Sequence, residues 1–218
     1  SHVRVDESAT GTATIIVDSN GQNSIVLSSG ANGKVSAQDI NAFDIEAKIL
    51  LLQLEIPLET VIHAAKWGKQ KGLTVILNPA PARELPDELI VNTDYIIPNE
   101  TELNLLSGVS LKDTVPTVQA AKVLLNRGTK NVVITLGEKG ALVVSSKQMR
   151  HVDPYRVNVV DTTAAGDAFI GGFTSALLRG IEIEESVKYA NACGALATIK
   201  FGAQPSLPTK EEVEKFIK

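Results

Sequence analysis

Short apolar runs alternate along this chain with stretches that carry the period of amphipathic helices, and this alternation restricts the possible folds more than any other feature. The apolar runs cover 48–54, 73–77, 94–97 and 131–136, and the helical patterns cover 57–72, 100–106 and 117–125. Continuously apolar strands are typical of a parallel sheet that is buried on both faces, with the intervening helices as the cover. We therefore predict an α/β fold with a mainly parallel central sheet.

Polar side chains follow the ends of these strands. Glu55 and Asn78 follow the first two strands, Asn99 and Glu102 follow the third, and the segment Thr135–Gly140 follows the fourth. Open α/β sheets bind their ligands beyond the carboxyl ends of their strands. We therefore expect the functional residues to gather at this edge of the sheet.

The composition narrows the class of protein. A chain of 218 residues with 44% hydrophobic residues and a formal net charge of −4 fits one large globular domain and offers no basic surface for nucleic acid. The longest apolar run, Ile49–Leu52, is too short to span a bilayer, and no signal-peptide pattern opens the chain. The single cysteine, Cys193, excludes an internal disulfide and suits a reducing compartment, so we expect a cytoplasmic protein with no membrane partner.

The first residues look like the inside of a larger fold. The only methionine is Met149, and Ser1–Val5 alternates as the interior of a strand does. We therefore expect that a longer protein begins before Ser1.

A β-hairpin is predicted near the start. Thr12–Val17 and Asn23–Ser28 are rich in β-forming residues, and they flank Asp18–Gly21, whose Asn-Gly step suits a tight turn. The pattern does not distinguish a separate small sheet from an edge hairpin of the main sheet.

The segment Asp161–Phe169 has the strongest chemical signal. Its small residues allow backbone N–H groups to approach a ligand closely, and a helix N-terminus adds partial positive charge, so an anion site is expected. Asp167 beside such a site is typical of a base that accepts a proton during phosphoryl transfer. The alternative is a plain helix cap, supplied by Asp167, Thr162 or Thr163.

Three further segments each allow a structural and a functional interpretation. Asn99 and Glu102 fit a capping box or a pair that holds phosphate and magnesium. Thr135–Gly140 fits a hairpin turn or a loop in close contact with a nucleotide. Gly202–Ser206 fits a helix C-cap at Gly202 followed by a proline stop, or a loop whose carbonyls hold a monovalent cation.

Other motifs are missing or unremarkable. The sequence contains neither G-x-x-x-x-G-K-[ST] nor G-x-G-x-x-G, which disfavours a P-loop enzyme and a dinucleotide-dependent oxidoreductase, and no His or Cys cluster has zinc spacing. We interpret His63 and His151 as surface residues, Trp67 as helix packing, and Cys193 as a small buried residue rather than a nucleophile.

The run Asp161–Phe169 resembles the C-terminal signature of the ribokinase-like carbohydrate kinases, the PfkB family, and the resemblance extends over essentially the whole chain. It implies a three-layer α/β/α sandwich with part of a small β lid, to which the hairpin at 11–29 belongs. It also implies that residues 1–218 form the C-terminal part of one kinase domain, without its N-terminal strands and part of its sugar site. Paired lids would join two molecules into a homodimer.

The same resemblance assigns roles to individual residues. Asp167 is the implied base and a sugar contact, Glu55 is a second sugar contact, and the amides of Ala164, Ala165 and Gly166 form an anion hole. The implied ATP-binding residues are Asn99, Thr135, Gly137, Gly140 and Asn191. The implied metal residues are Glu102 for Mg²⁺ through water, and Asp161, Thr163, Ala197, Lys200, Gly202 and Ser206 for K⁺.

The implied activity is transfer of the γ-phosphoryl group of ATP to the 5-hydroxyl of D-ribose, with Mg²⁺ and an activating K⁺. Two alternatives stay open. One is another kinase of the same family, acting on deoxyribose, fructose or a nucleoside. The other is a fragment that binds nucleotide but is inactive.

Overall fold

The computed structural model describes residues 3–17, 23–108 and 117–218, which form two sheets and a set of helices. The strands are β1 (Thr12–Val17), β2 (Asn23–Ser28), β3 (Ile49–Leu52), β4 (Thr74–Leu77), β5 (Tyr95–Ile96), β6 (Asn131–Thr135), β7 (Ala141–Ser145) and β8 (Met149–Val152). The α-helices are α1 (Ala37–Asn41), α2 (Leu58–Gln70), α3 (Asp87–Ile90), α4 (Glu100–Ser107), α5 (Thr117–Asn126), α6 (Ala165–Leu178), α7 (Ile183–Thr198) and α8 (Lys210–Phe216). None of the helices in these ranges is both long and apolar enough to cross a membrane.

Among the described residues, the central sheet has six strands in the order of the chain, β3 to β8. The pairs from β3 to β6 are parallel, and β7 and β8 are antiparallel additions at one edge. The predicted mainly parallel sheet is confirmed. Each of its first four strands is shorter than the apolar run that predicted it, β3 and β5 most of all.

Helices cover both faces of this sheet. Side chains of α2 to α5 pack with Val75, Leu77 and Ile134 on one face. Side chains of α6 and α7 pack with Ile76 and Val133 on the other face. Because successive residues of a strand point to opposite faces, the unbroken apolar runs fill two cores, and the three-layer arrangement follows.

The predicted hairpin is confirmed as β1 and β2, which pair with each other in a separate two-stranded sheet. The interpretation as an edge hairpin of the main sheet is therefore wrong. The Asp18–Gly21 turn lies outside the described residues. At the base of the hairpin Gly30 has φ +49°, and a Cβ there would lie 2.3 Å from the carbonyl oxygen of Ala9, so the two segments cross in close contact.

The strand pattern predicted at the start is not found. Residues 3–6 have no regular secondary structure, and Ser1 and His2 lie outside the described residues. Arg4 instead forms an ion pair with Asp39 at 2.5 Å, which fastens this segment to α1.

A buried carboxylate braces the edge of the sheet opposite the predicted site. Asp94 accepts hydrogen bonds from Lys69 Nζ at 2.7 Å and from the amide of Val75 at 2.9 Å, and Lys130 Nζ lies 2.7 Å from it. Burial alone would raise the pKa of Asp94, but the two ammonium groups and the amide hold that pKa below its usual value. The cluster therefore ties α2 to the start of β5 through charge-assisted hydrogen bonds.

Close packing of α6 against α7 depends on a glycine. A Cβ at Gly172 would lie 2.6 Å from the Sγ of Cys193 and 3.3 Å from the Cα of Ala190. Cys193 is buried there, and burial raises the pKa of its thiol to about 11. Cys193 is thus a protonated packing group, as its sequence context predicts.

We predict that Gly172→Ala lowers the free energy of unfolding by about 1–3 kcal/mol, because the added methyl group overpacks the α6–α7 contact. The neighbouring Gly171 is the matched control, since a Cβ there meets nothing within 4 Å. Gly171→Ala should raise stability by up to about 1 kcal/mol through helix propensity. Urea unfolding of both variants checks the prediction, and equal shifts for both would contradict it.

Candidate active site

Two of the residues that are predicted to bind the nucleotide meet at the carboxyl ends of β5 and β6. Asn99, which follows β5, forms an isolated parallel β-bridge with Thr135, the last residue of β6. The Thr135 amide donates to the carbonyl of Pro98 at 3.0 Å, which fixes the spacing of the two segments. This edge is where the polar residues of the sequence are expected to meet.

Asn99 and Glu102 form a complete capping box at the start of α4. The Glu102 amide donates to Asn99 Oδ1, and the Asn99 amide donates to Glu102 Oε2, each at 2.8 Å. Burial raises the pKa of Glu102, and the hydrogen bond from Asn99 opposes this. The capping prediction is confirmed. Since Glu102 Oε1 accepts no hydrogen bond from a described residue, it is left for a water molecule, which fits the way Mg²⁺ is usually held.

The segment Thr135–Gly140 is the predicted hairpin turn between β6 and β7. It contains a single 3₁₀ turn, Gly137–Lys139, and both Gly137 and Gly140 have positive φ, at 58° and 87°. A Cβ at Gly140 would lie 2.2 Å from the carbonyl oxygen of Val152, whereas a Cβ at Gly137 would meet nothing within 4 Å. Gly140 is therefore required by packing, and the Gly137 side of the turn is open to a ligand.

Asn191 of α7 reaches the same carbonyl from the other side. Its buried side-chain amide donates to Val152 O at 3.3 Å and to Asp153 O at 2.9 Å. Asn191 thus fixes the chain that leaves β8, against which Gly140 packs. Within the described residues its amide hydrogens serve this backbone, which supports an indirect part in shaping the turn.

The start of α6 differs from a simple capped helix. Ala164 is the N-cap residue and has φ 61° and ψ 9°, the left-handed conformation, and its side chain forms no cap hydrogen bond. The helix begins at Ala165, so Asp167 lies in the first turn. The capping interpretation for Asp167, Thr162 or Thr163 is therefore wrong. Ala164 is the single non-glycine residue with positive φ in the described part of the chain, and such strain is typical of functional sites.

The backbone amides at the start of α6 differ in whether they already donate a hydrogen bond. The Ala165 amide donates to the carbonyl of Thr162 at 3.2 Å. The amides of Ala164, Gly166 and Asp167 donate to no described residue, so they are available to an anion at the positive end of the helix. Of the three amides predicted for the anion hole, those of Ala164 and Gly166 are free.

Asp161 joins the segment before α6 to the segment after α7. Its Oδ1 accepts from Thr163 Oγ1 at 2.6 Å and from the Thr163 amide at 2.9 Å, and its Oδ2 accepts from the Gly202 amide at 2.9 Å. These donors, the Thr163 hydroxyl first, hold the pKa of Asp161 below its usual value. Two parts of the predicted cation loop are therefore in contact.

The other predicted cation residues, Ala197, Lys200 and Ser206, lie within five positions of Gly202 in the chain. Helix α7 ends at Thr198 with Ile199 as its C-cap, so the predicted C-cap at Gly202 is wrong. The carbonyls of Ala197, Lys200 and Gly202 accept no backbone hydrogen bond from described residues, and Ser206 Oγ donates to Ala203 O at 2.7 Å. Unpaired carbonyl oxygens are hard ligands that suit K⁺, so the residues present fit this cation. Among the residues described, no group of three or more His, Cys, Asp or Glu side chains is arranged so that it could hold a metal ion.

Glu55 lies beneath the hairpin. It lines a cavity of about 410 Å³ together with Thr12, Leu27, Asn32 and Arg83, among others. The structure thus places the predicted sugar contact between the small sheet and the strand ends. Arg83 also lines the cavity, and sequence reasoning missed it because it lies in an irregular loop without a motif.

Asp167 is not one of the residues that line this cavity, and its side chain is exposed. Its carboxylate accepts no hydrogen bond from a described residue. The structure therefore groups Asp167 with the free amides of α6, and Glu55 with the hairpin.

The fold and this edge define an α/β protein that presents free helix amides, an exposed carboxylate and a glycine-flanked turn at the ends of its strands. The chain belongs to the pfkB family of carbohydrate kinases, whose family profile matches residues 1–210.

Individual relatives agree with this family. The chain is 41% identical over 217 residues to the ribokinase of Staphylococcus aureus, an alignment that covers 98% of this chain and 71% of the relative. It is also 41% identical over 219 residues to the deoxyribokinase of Salmonella typhi, with 98% and 71% covered.

Solved structures agree as well. The ribokinase of Thermotoga maritima superposes with a TM-score of 0.88 at 41% identity and covers 99% of this chain and 71% of its own. The ribokinase of Arabidopsis thaliana, solved with ribose and ATP, superposes with a TM-score of 0.87 at 34% identity, covering 98% and 70%. The predicted family and the ribokinase-like fold are confirmed.

We predict that Ala164→Gly raises the free energy of unfolding by about 0.5–1 kcal/mol, because glycine adopts the left-handed conformation without the Cβ clash. Ala165→Gly is the matched control. It should lower stability by about 0.5 kcal/mol, since Ala165 is already helical. Chemical denaturation of both variants measures the two shifts, and a loss of stability in Ala164→Gly would refute the argument from strain.

Proposed function

We propose that this protein transfers the γ-phosphoryl group of ATP to the 5-hydroxyl of D-ribose. The observation that carries the proposal is the start of α6, where free amides and the Asp167 carboxylate occur within one turn. Family membership supports a carbohydrate kinase, and the Staphylococcus and Arabidopsis ribokinases support ribose and ATP as the substrates.

Asp167 is the proposed base. An exposed carboxylate in the first helical turn accepts the proton of the sugar hydroxyl as the hydroxyl oxygen attacks the phosphorus atom. The adjacent amides of Ala164 and Gly166 donate to the oxygens of the transferring phosphoryl group, where negative charge must be held during transfer. Positioning and charge stabilisation are what phosphoryl transfer requires from a protein.

The nucleotide is proposed to lie along the neighbouring strand ends. Asn99 and Thr135 are held together by their β-bridge, and the open side of Gly137 allows close approach of the adenosine part. Gly140 and Asn191 would support the turn from the side of β8, since both contact the carbonyl of Val152. The turn is thereby shaped before ATP arrives.

Two cations are proposed. Glu102, with one carboxylate oxygen free, would hold Mg²⁺ through a water molecule, and the ion would neutralise charge on the polyphosphate. The K⁺ residues would be Asp161, Thr163, Ala197, Lys200, Gly202 and Ser206, chiefly through backbone oxygens. Lys200 would contribute its carbonyl, because its ammonium group pairs with Glu212 at 2.9 Å.

Glu55 is the proposed second sugar contact. Glu55 lines the cavity beneath the hairpin, and a carboxylate can accept hydrogen bonds from sugar hydroxyls. The hairpin would then act as the lid over the sugar.

We also propose a homodimer that forms through the hairpin. A two-stranded sheet is marginally stable by itself, and Val26 is exposed on it. Pairing of two hairpins would cover this apolar surface, and sedimentation equilibrium would report the resulting mass. The proposed compartment is the cytoplasm, where the buried Cys193 remains a thiol.

Deoxyribose is the second candidate substrate. The deoxyribokinase of Salmonella typhi is as similar to this chain, at 41% identity, as the Staphylococcus ribokinase is. Both sugars carry a 5-hydroxyl, so the proposed part of Asp167 would be unchanged. The two candidates differ only in contacts with the hydroxyl at carbon 2.

A coupled assay of ADP release separates these possibilities. We expect turnover with D-ribose to exceed turnover with deoxyribose or fructose, and K⁺ to raise it above the rate in Na⁺. Preference for deoxyribose would transfer the assignment to the second candidate. ATP binding by calorimetry without phosphorylation of any sugar would instead identify an inactive nucleotide-binding chain.

We predict that Asp167→Asn lowers kcat by about 100-fold or more and changes the Kd for ATP by less than about twofold, because the amide cannot accept the proton. Glu211→Gln is the control, since Glu211 is an exposed acid in the first turn of α8. Steady-state kinetics and calorimetry give the two constants. Unchanged turnover in Asp167→Asn would exclude the base role.

A further inference from the structure

The turn Gly137–Lys139 is connected to the neighbouring strand by a histidine. His151 lies on β8, and its Nε2 is 2.8 Å from the carbonyl oxygen of Lys139, the last residue of the turn. The carbonyl can only accept, so Nε2 must carry the proton and donate. The pattern of the sequence predicts His151 only as a surface residue, and its ring is indeed half exposed, yet one nitrogen is committed to the backbone.

The other hydrogen bonds of the turn are local. The Lys139 amide donates to Leu136 O and the Gly140 amide donates to Gly137 O, each at 3.1 Å. Glycines with positive φ on both sides of the turn have wide conformational freedom, and local hydrogen bonds restrict it weakly. Among the described residues, His151 is the side chain that bonds the turn from a different element.

The histidine is itself held in place. It lies opposite Leu142 in the β7–β8 ladder, so its backbone is fixed by strand pairing. Its Nδ1 lies 3.4 Å from Oδ1 of Asp153, whose side chain is 93% exposed, and this contact is attractive only when the ring carries a proton on both nitrogens. The next residue, Val152, is the one whose carbonyl meets Gly140 and Asn191.

We propose that His151 is a positioning residue for the nucleotide-binding turn: its Nε2–H holds the Lys139 carbonyl so that the Gly137 face stays shaped for ATP. This inference rests on the proposed function, in which the turn faces the nucleotide. His151 does not touch the reacting atoms in this proposal. It acts through the turn, so its substitution changes the binding of ATP and not the binding of the sugar.

The test compares His151→Ala, His151→Gln and Met149→Ala in the full chain. Glutamine can offer an amide N–H to the same carbonyl, and Met149 is an exposed residue two positions earlier on the same face of β8. We expect His151→Ala to raise the KM for ATP about threefold to tenfold, the effect of one lost hydrogen bond, with the KM for ribose unchanged. His151→Gln should recover most of the loss, and Met149→Ala should match the unchanged protein.

Two readouts separate failure of this inference from failure of the proposed function. Calorimetry with ADP measures nucleotide binding directly, and amide hydrogen exchange at Gly137–Lys139 measures how firmly the turn is held. If the unchanged protein binds ADP but His151→Ala alters neither KM nor exchange, or if glutamine gives no rescue, the positioning role is wrong. If the unchanged protein binds no nucleotide, the proposed function fails, and the role of His151 in binding ATP fails with it.

Discussion

The arrangement of the site depends on one carboxylate that joins two distant segments. Asp161 accepts hydrogen bonds from Thr163, just before α6, and from Gly202, just after α7. Ala164, in its left-handed conformation, lies between this link and the start of α6, where the amides of Gly166 and Asp167 donate to no described residue. The amides of Val160 and Asp161 also donate to the carbonyl of Thr198, at 2.8 and 3.1 Å, so the end of α7 is joined to the same segment. A helix pair alone would fix neither loop, since both lie outside the regular hydrogen-bonding pattern.

The proposed nucleotide-binding part of the site depends on the change from parallel pairing of β5 and β6 to antiparallel pairing of β6 and β7. Parallel strands require long crossovers, but the step from β6 to β7 needs only a short turn. That turn remains at the same edge as the ends of β5 and β6, so Gly137 follows directly after Thr135, the bridge partner of Asn99. The cover of β7 and β8 is then supplied by α5 and α7, and this places Asn191 behind the turn.

Much of this organisation is visible in the sequence. The two-faced apolar runs predict the parallel sheet, the β-rich segments predict the hairpin, and Asn99 with Glu102 predicts a capping box that the structure contains. Cap geometry at Asp167 and Gly202 is predicted wrongly, because Ala164 in a left-handed conformation and Ile199 as a cap have no residue-type signal. The bonds of Asn191 and His151 to backbone carbonyls are also hidden, since they depend on how β8 and α7 meet in three dimensions.

The link between Asp161 and Gly202 has a consequence for biosynthesis. A nascent chain that has emerged only as far as β8 already contains strands β3 to β8, but the face later covered by α6 and α7 is bare, with Ile76, Val133 and Val143 exposed to water. Such an intermediate presents an apolar surface to chaperones and to other nascent chains. The ribosome must release residues beyond Gly202 before the site closes, so a half-made chain carries the sheet without a working centre.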